Sequence, residues 1–320
     1  MTCQRAHLIV LLAAALWGLG NVAQKTILEH MGPLMATALT LALGAFALAP
    51  LVRLECPAAH VEKGVPGPSG REIIIGALMF GASVATMQIG YGGTSVSNAG
   101  FLVNTCTVIT PLAAWAILSE RPSAAVLPSI LLVLGGVWLM GGASLTALAW
   151  GDGFCLLAAV LFAFSISLNS RLVLRYGRPS RMTVVQFLIS AALCFAMALI
   201  FEHNSIGSII MAWPELLMMG LISKALPYFL MAFAQQHTSA TATAIIASAE
   251  GIFGACSAAY FLGETMPGMA IAGASLIMLS VVFLQILPQR WIDTRRPRYV
   301  AAMVRVDGAT KFAADRKKTY

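Results

Sequence analysis

Ten long apolar runs constrain this chain more than any other feature of its sequence. Each run is about 20 residues long, the length of helix that crosses the hydrocarbon core of a bilayer. Mostly short polar connections separate them, so no room remains for a separate water-soluble catalytic domain. The predicted spans are residues 7–28, 33–52, 72–93, 97–118, 124–142, 153–174, 182–201, 214–235, 240–262 and 267–288.

The charge distribution agrees with a membrane protein. Charged residues make up 10% of the chain, against roughly 25% in a typical soluble domain. Most of the net charge of +7 comes from residues 289–320, which hold nine basic and three acidic residues, a net of +6. The positive charge is therefore a property of the tail and does not indicate a nucleic-acid partner. We predict a basic cytoplasmic tail close to anionic membrane lipid.

The positions of the basic residues predict the orientation. With the N-terminus in the cytoplasm and ten spans, 18 of the 20 Lys and Arg residues lie on the cytoplasmic side, as the positive-inside rule requires. The exceptions are Lys25, which falls outside, and Lys224, which falls within a span. We predict a multi-pass protein of the cell (inner or plasma) membrane with both termini in the cytoplasm.

The two halves of the chain resemble each other. Leu11-Leu12-Ala13-Ala14 recurs as Leu156-Leu157-Ala158-Ala159, and residues 94–120 align without gaps onto 238–264. Since each half contains five spans, an odd number, the second half must enter the membrane from the opposite side. The sequence thus predicts an all-α integral membrane protein with ten transmembrane helices in two inverted five-helix repeats, residues 1–145 and 146–288. Secondary transporters often have this architecture, with the solute site near midplane between the repeats.

Several motifs add a family resemblance. The segment from Ala14 to Gly18, the stretch from Thr94 to Leu102 and the turn from Ser119 to Ser123 resemble the drug/metabolite transporter superfamily, specifically its EamA-type ten-helix transporters. The stretch from Thr238 to Thr265 looks like the second copy. The resemblance covers residues 8–287 and implies transport, in particular efflux, of a small metabolite or drug-like solute.

Polar residues inside the spans are the candidates for solute or ion binding. Trp17, Asn21 and Gln24 follow an i, i+4, i+7 spacing and therefore share one helix face. Such inward-turned polar groups either line a wet cavity or bond neighbouring helices, and the sequence leaves both alternatives open. The candidates are Trp17, Asn21, Gln24, Gln88, Tyr91, Asn104, Asn169, Lys224, Tyr228 and Glu250.

Lys224 and Glu250 form the sharpest prediction. Each lies 13 positions from His237, which stands at the tight connection between the eighth and ninth spans. At 1.5 Å per residue both side chains lie about 20 Å from this turn, so the lone base and the lone acid are predicted to meet near the bilayer centre. The alternatives are a structural salt bridge, or a pair whose protonation or solute binding drives the transport cycle.

The same residues favour a gradient-driven carrier. The GxxxxGK[ST] phosphate-binding motif does not occur, so the expected driving force is a solute or ion gradient, with a proton favoured because Glu250 is a carboxylate deep in a span. An intramembrane enzyme or a non-transporting sensor or scaffold is the alternative, although neither HExxH nor GxSxG occurs.

No cofactor or metal site is predicted, because the six cysteines include no CxxC pair. Small residues in the fifth and tenth spans, such as Gly135, Gly136 and Gly273, indicate close helix packing or, as the second alternative, a homodimer face.

Overall fold

The computed structural model of the protein describes residues 3–55, 69–94, 96–119, 124–140, 149–262 and 268–286. These residues are almost entirely helical and include no strand. The predicted basic tail, residues 289–320, lies outside the described residues. The α-helices are α1 (Cys3–Thr26), α2 (Pro33–Leu54), α3 (Gly70–Gly93), α4 (Val96–Asn104), α5 (Cys106–Leu118), α6 (Leu127–Met140), α7 (Trp150–Tyr176), α8 (Pro179–Phe201), α9 (Ile206–Met211), α10 (Trp213–Leu217), α11 (Leu226–Ala234), α12 (Ala240–Ala247), α13 (Glu250–Leu262) and α14 (Gly268–Ile286).

Seven helical stretches in the described residues are long and apolar enough to cross a membrane. Three shorter apolar stretches, Leu102–Leu118, Leu127–Leu139 and Ile271–Leu284, accompany them. The chain is therefore an all-helical integral membrane protein, while the count of ten spans stays a prediction. The seven long stretches are Cys3–Glu29, Pro33–Leu54, Gly70–Gly93, Trp150–Tyr176, Pro179–Phe201, Trp213–Ala234 and Ala240–Phe261.

Two of the predicted spans are interrupted near their middles. Helix α4 gives way to α5 at Thr105, and α12 gives way to α13 at Ser248 and Ala249. In both places a hydroxyl donates to a backbone carbonyl three residues earlier, at 2.6 Å from Thr105 and at 2.6 Å from Ser248. Such bonds compete with the helical hydrogen-bond ladder. Thr105 and Ala249 are 144 positions apart, the interval that separates the two aligned stretches of sequence.

A third span contains a π-helix, Met218–Ala225, between α10 and α11. At its end the backbone N–H of Leu226 donates to the carbonyl of Leu221, five residues earlier. Pro227, the next residue, has no N–H, so the α-helical pattern cannot run through it unbroken. Short π segments inside helices occur frequently at functional sites, and this one carries Lys224.

Helices α2 and α8 pack along each other and cap each other's first turns. Glu55, just after α2, accepts hydrogen bonds from the backbone N–H groups of Ser180 (2.8 Å) and Arg181 (3.1 Å) at the start of α8. Glu202, just after α8, accepts bonds from Leu34 (2.7 Å) and from the next residue (3.0 Å) at the start of α2. These N–H groups have no partner within their own helix, and a carboxylate also complements the helix dipole there.

Helix α1 lies between the π-helix and α13, and glycines allow the close approach. A Cβ at Gly18 would meet Phe253 and the backbone of Gly254 on α13, and a Cβ at Gly20 would meet Ser223 of the π-helix. Close packing through small residues is the usual device between membrane helices. The position of α1 between these two elements determines the geometry of the cavity described below.

The glycines of the fifth and tenth spans are used for packing within the chain. A Cβ at Gly136 on α6 would lie 2.6 Å from the carbonyl oxygen of Gly273 on α14. On the outer surface, by contrast, large apolar side chains stay uncovered, with Leu199, Ile200 and Phe201 at 65–73% exposure. A surface of this kind suits lipid contact and not water.

Candidate functional site

A cavity lies among α1, α3, the junction of α4 with α5, α7, α8, the π-helix, α11 and the junction of α12 with α13. It offers about 80 Å³ to the centres of water-sized molecules, whereas one water needs roughly 10–15 Å³ on that measure. The cavity therefore has room for several waters or for part of a small solute. Its lining consists of Trp17, Asn21, Gln24, Phe80, Met87, Tyr91, Gly100, Val103, Asn104, Cys106, Phe162, Ser165, Ile166, Asn169, Thr183, Gln186, Phe187, Ser223, Lys224, Tyr228, Met231, Ala244, Ala247 and Glu250.

The structure brings nine of the ten predicted site residues into this lining. The helical spacing of Trp17, Asn21 and Gln24 places all three on the cavity side of α1. The other six come from six different elements and are Tyr91, Asn104, Asn169, Lys224, Tyr228 and Glu250. The amide nitrogen of Asn104 donates a hydrogen bond to the carbonyl of Gly100 in its own helix, at 2.8 Å.

Gln88 does not line the cavity. Its side chain is 1% exposed, and its amide nitrogen donates to the backbone carbonyl of Gln24 at 3.0 Å. Of the two alternatives left open for polar residues in the spans, Gln88 follows the second, since the glutamine turns towards α1 and bonds this neighbouring helix. Thr243 likewise lies outside the lining and bonds the carbonyl of Ser239 at 2.9 Å.

Lys224 is buried to 2% exposure and lines the cavity from the π-helix. Its ammonium nitrogen lies 5.9 Å from the centre of the Tyr228 ring, within cation–π distance. Among the described residues no hydrogen bond or ion pair satisfies this ammonium group. A buried amine without a partner is costly, so it points to water or a solute group beside it.

Glu250 is the first residue of α13, directly after the interruption of the ninth span. Asn21 of α1, with its amide nitrogen turned to this side, donates to Oε1 of Glu250 at 3.1 Å and to the carbonyl of Trp17 at 3.2 Å. The carboxylate is thereby held against α1, and its remaining hydrogen-bonding capacity is directed to the cavity.

Lys224 and Glu250 line one cavity but do not form an ion pair, within the part of the chain that the structure describes. The two groups share this cavity, as predicted, but no direct salt bridge joins them among the described residues. The short connection after α11 makes the eighth and ninth spans antiparallel, but α1 packs between them, against α11, the π-helix and α13. The two side chains face the same space from different walls.

Three buried polar atoms of the cavity residues have no hydrogen-bond partner among the described residues. They are the indole nitrogen of Trp17, the amide nitrogen of Gln24 and the amide oxygen of Asn169. Asn169 uses its nitrogen on the side-chain oxygen of Gln235, at 2.6 Å. Buried polar groups are rarely left unsatisfied, so these two donors and one acceptor are available to water or to a solute.

Aromatic rings form the apolar part of the wall. Trp17 meets Tyr228 edge to face with 5.0 Å between ring centres, and Phe80 meets Tyr228 at 4.9 Å and Phe187 at 5.4 Å. These contacts hold the rings in place, since edge-to-face and offset arrangements are the favourable ones. An amphipathic organic solute would find an apolar surface here beside the polar groups.

Sequence reasoning missed the contribution of α8. Thr183 and Gln186 line the cavity three positions apart, on one face of a mostly apolar helix. The hydroxyl of Thr183 bonds its own helix at Pro179, at 2.9 Å, which leaves Gln186 as the more available polar group. The spacing argument that identified the polar face of α1 would also have identified this pair.

Comparisons with known proteins agree with one another. The chain matches the model of the EamA-like transporter family twice, over residues 4–142 and 149–286. It is 24% identical over 288 residues to an uncharacterized transporter of Archaeoglobus fulgidus, covering 88% of this chain and 86% of the relative. It is 26% identical over 298 residues to the uncharacterized transporter YwfM of Bacillus subtilis, covering 88% and 94%.

The fold also occurs among solved structures, and the comparison with one crystal structure illustrates the likeness. It superposes with a TM-score of 0.71 at 18% identity, over 89% of this chain and 98% of that one.

Proposed function

Because the chain belongs to the EamA-like transporter family, we propose that it is a secondary-active transporter that exports a small metabolite or drug-like solute by alternating access, with a proton as the coupling ion. That it is a membrane transporter follows from the family and from the names of its relatives. The same membership points away from an intramembrane enzyme.

One observation carries the finer part of the proposal. Lys224 and Glu250 face the same cavity inside the membrane without pairing with each other. An ionised residue at the bilayer centre costs roughly 2.5–3.5 kcal/mol on the insertion scale, and a purely structural role would be served by direct contact. Two separated charges are instead available to a proton and to a charged group of the solute.

We also propose the ten-span inverted repeat, with repeats at 1–145 and 146–288 and the tail at 289–320. The reciprocal caps of Glu55 and Glu202 support it, since they relate α2 and α8 by an approximate two-fold axis. A second pair of contacts agrees. Thr94 donates to Asp152 at the start of α7, and Thr238 bonds His7 at the start of α1, at 3.0 Å.

The proposed orientation, with both termini in the cytoplasm, can be tested by single-cysteine labelling in a variant without the native cysteines. Ser205 and Ser69 are exposed at the ends of helices. A membrane-impermeant maleimide should label a cysteine at 205 only from outside and one at 69 only from the cytoplasm. The reverse result at either position would overturn the proposed topology.

The function itself is testable in proteoliposomes. A metabolite comparison between deletion and overexpressing cells first nominates solutes whose levels respond to the protein. Purified protein should then catalyse counterflow of a labelled nominee and should accumulate it when a pH gradient is imposed. Counterflow without gradient-driven accumulation would retain a carrier but remove proton coupling. Folded protein that exchanges none of the nominated solutes would overturn the transporter proposal.

A further inference from the structure

Lys25 joins the end of α1 to the end of α3. It lies in the last turn of α1, and its ammonium nitrogen donates to the backbone carbonyls of Tyr91 (2.5 Å) and Thr94 (3.2 Å) at the end of α3. Carbonyls in the last turn of a helix have no partner within it. Together with the bond from Gln88 to the carbonyl of Gln24, these contacts form what we call the α1–α3 seam (Gln24, Lys25, Gln88, Tyr91 and Thr94).

A second set of hydrogen bonds joins α7 to the end of α11. Asn169 of α7 donates to the side-chain oxygen of Gln235, just after α11, and Gln235 donates to the carbonyl of Ile166 at 3.2 Å. We call this the α7–α11 seam (Ile166, Asn169 and Gln235). Its residues stand at repeat positions of the first seam, since Asn169 follows Gln24 by 145 positions and Gln235 follows Tyr91 by 144.

The two seams differ in charge. The residue 145 positions after Lys25 is Ser170, which is buried at 0% exposure and whose hydroxyl has no partner among the described residues. The α1–α3 seam therefore includes an ammonium group with two bonds to carbonyls, while the α7–α11 seam consists of neutral amides. Hydrogen bonds from an ionised donor are about twice as strong as neutral ones.

We propose that Lys25 is a latch that holds the outer end of the cavity closed and so biases the resting carrier towards the cytoplasm. This inference rests on the alternating-access function and on the orientation proposed above. Lys25 is not part of the cavity lining, so it acts as a positioning residue and not through contact with the solute. A bias of this kind suits an exporter, because the cavity of the empty carrier is then open to the cytoplasm, from which the solute is taken up.

The latch also accounts for a feature of the sequence. Lys25 is the basic residue that the predicted topology places outside, against the charge bias of the other loops. Its role at the end of α3 gives a physical reason for an ammonium group at this place.

The test uses Cys106, which lines the cavity, as the single cysteine of the full-length protein in oriented vesicles. Lys25→Met keeps the length and removes the donors. It should raise the rate of Cys106 labelling by an impermeant maleimide from outside by about tenfold, and lower labelling from the cytoplasmic side, since bonds to a charged group contribute on that scale. Lys25→Arg, which retains donors, and Ser170→Ala, which removes the unpartnered hydroxyl, should leave both rates unchanged.

The outcomes separate the latch from the proposed function. If the solute changes Cys106 labelling in the wild type but Lys25→Met alters neither rate, the latch is overturned and alternating access stands. If Cys106 of folded wild-type protein is labelled equally from both sides with and without solute, alternating access itself fails. A third outcome is that neither the Lys25→Met protein nor the Lys25→Gln protein, which retains hydrogen-bond donors, is found in the membrane. Lys25 would then be a structural cap, and the latch would also be overturned.

Discussion

The two halves of the cavity wall are built on one plan but differ in charge. Phe80 on α3 and Lys224 on the π-helix are 144 positions apart in the sequence. Cys106 and Glu250 are separated by the same interval, and each is the first helical residue after the interruption of its span. All four line the cavity. The first half thus contributes an aromatic ring and a thiol where the second contributes a base and an acid. The repeat supplies the shape of the site, and divergence within it supplies the ionisable groups.

The backbone differs at the same place. Glu72 and Thr94 are 22 positions apart along continuous α3, whereas Glu215 and Thr238 are 23 apart. The second half contains one more residue, and its helix includes the π segment, whose hydrogen bonds enclose one residue more than those of an α-helix. Lys224 lies in this segment. The π segment and the buried base therefore occupy the same stretch of chain.

The largest expected effect comes from removing the acid of the charged half. Glu250→Gln retains the size of the side chain but cannot release a proton, so pH-driven accumulation should fall to the level of passive exchange while counterflow survives. The measurement is uptake into proteoliposomes with and without an imposed pH gradient. Glu72→Gln is the matched control, because Glu72 pairs with Arg175 at 2.8 Å and lies outside the cavity lining. Full gradient-driven uptake by Glu250→Gln would remove its coupling role.

Reversing the two charges comes next. Lys224→Glu or Glu250→Lys alone puts two like charges in one cavity, where an uncompensated charge costs roughly 2.5–3.5 kcal/mol, so the level of protein in the membrane should fall several-fold. The double reversal should restore the level, measured by immunoblot of membranes, but not coupled transport. Recovery of coupled transport as well would leave only a structural role for the pair.

A smaller contrast separates a wall residue from a packing residue. Trp17→Ala removes part of the aromatic wall and should lower transport about tenfold, equivalent to roughly 1.4 kcal/mol, at an unchanged protein level. Gln88→Ala should instead lower thermal stability, because it loses one buried hydrogen bond of about 1 kcal/mol, and should retain counterflow. If both variants transported normally and Tyr91→Ala did too, the solute site would lie elsewhere.

The smallest effect is expected from the neutral counterpart of Glu250. Cys106→Ser keeps the size of the side chain, and since a thiol is only a weak hydrogen-bond donor, transport should stay within about twofold of the wild type. Initial rates of counterflow provide the measurement. A large loss would mean that the first half of the wall also takes part in the chemistry of the site.

Periodicity predicted the parts of the site that lie along one helix. The polar face of Trp17, Asn21 and Gln24 needs only the helical repeat, and the presence of Lys224 and Glu250 in one cavity agrees with the rise per residue along their two spans. The spacing of residues along single helices does not predict which element packs between two of them. The glycines at 18 and 20 let α1 enter between the charged residues, and nothing in the spacing of the eighth and ninth spans indicates a third helix there.

The interruptions at Thr105 and Ser248 were missed for a related reason. A hydropathy scan measures how apolar a segment is, and a hydroxyl that bonds back to its own helix satisfies itself without making the segment polar. The aligned stretches, however, include both sites, so a comparison of hydroxyl positions between the two halves would have indicated where the breaks fall.

The reciprocal caps between α2 and α8 have a consequence for biosynthesis. The first turn of α2 takes its acceptor from Glu202, which follows Leu34 by 168 residues and emerges from the ribosome only after the whole first half and helices α7 and α8 of the second have been made. The first half is therefore inserted while backbone N–H groups at the start of α2 still lack their acceptor. The second half supplies this acceptor later. Two half-chains expressed separately would each lack the other's glutamate, so these two helix caps can form only when the halves assemble.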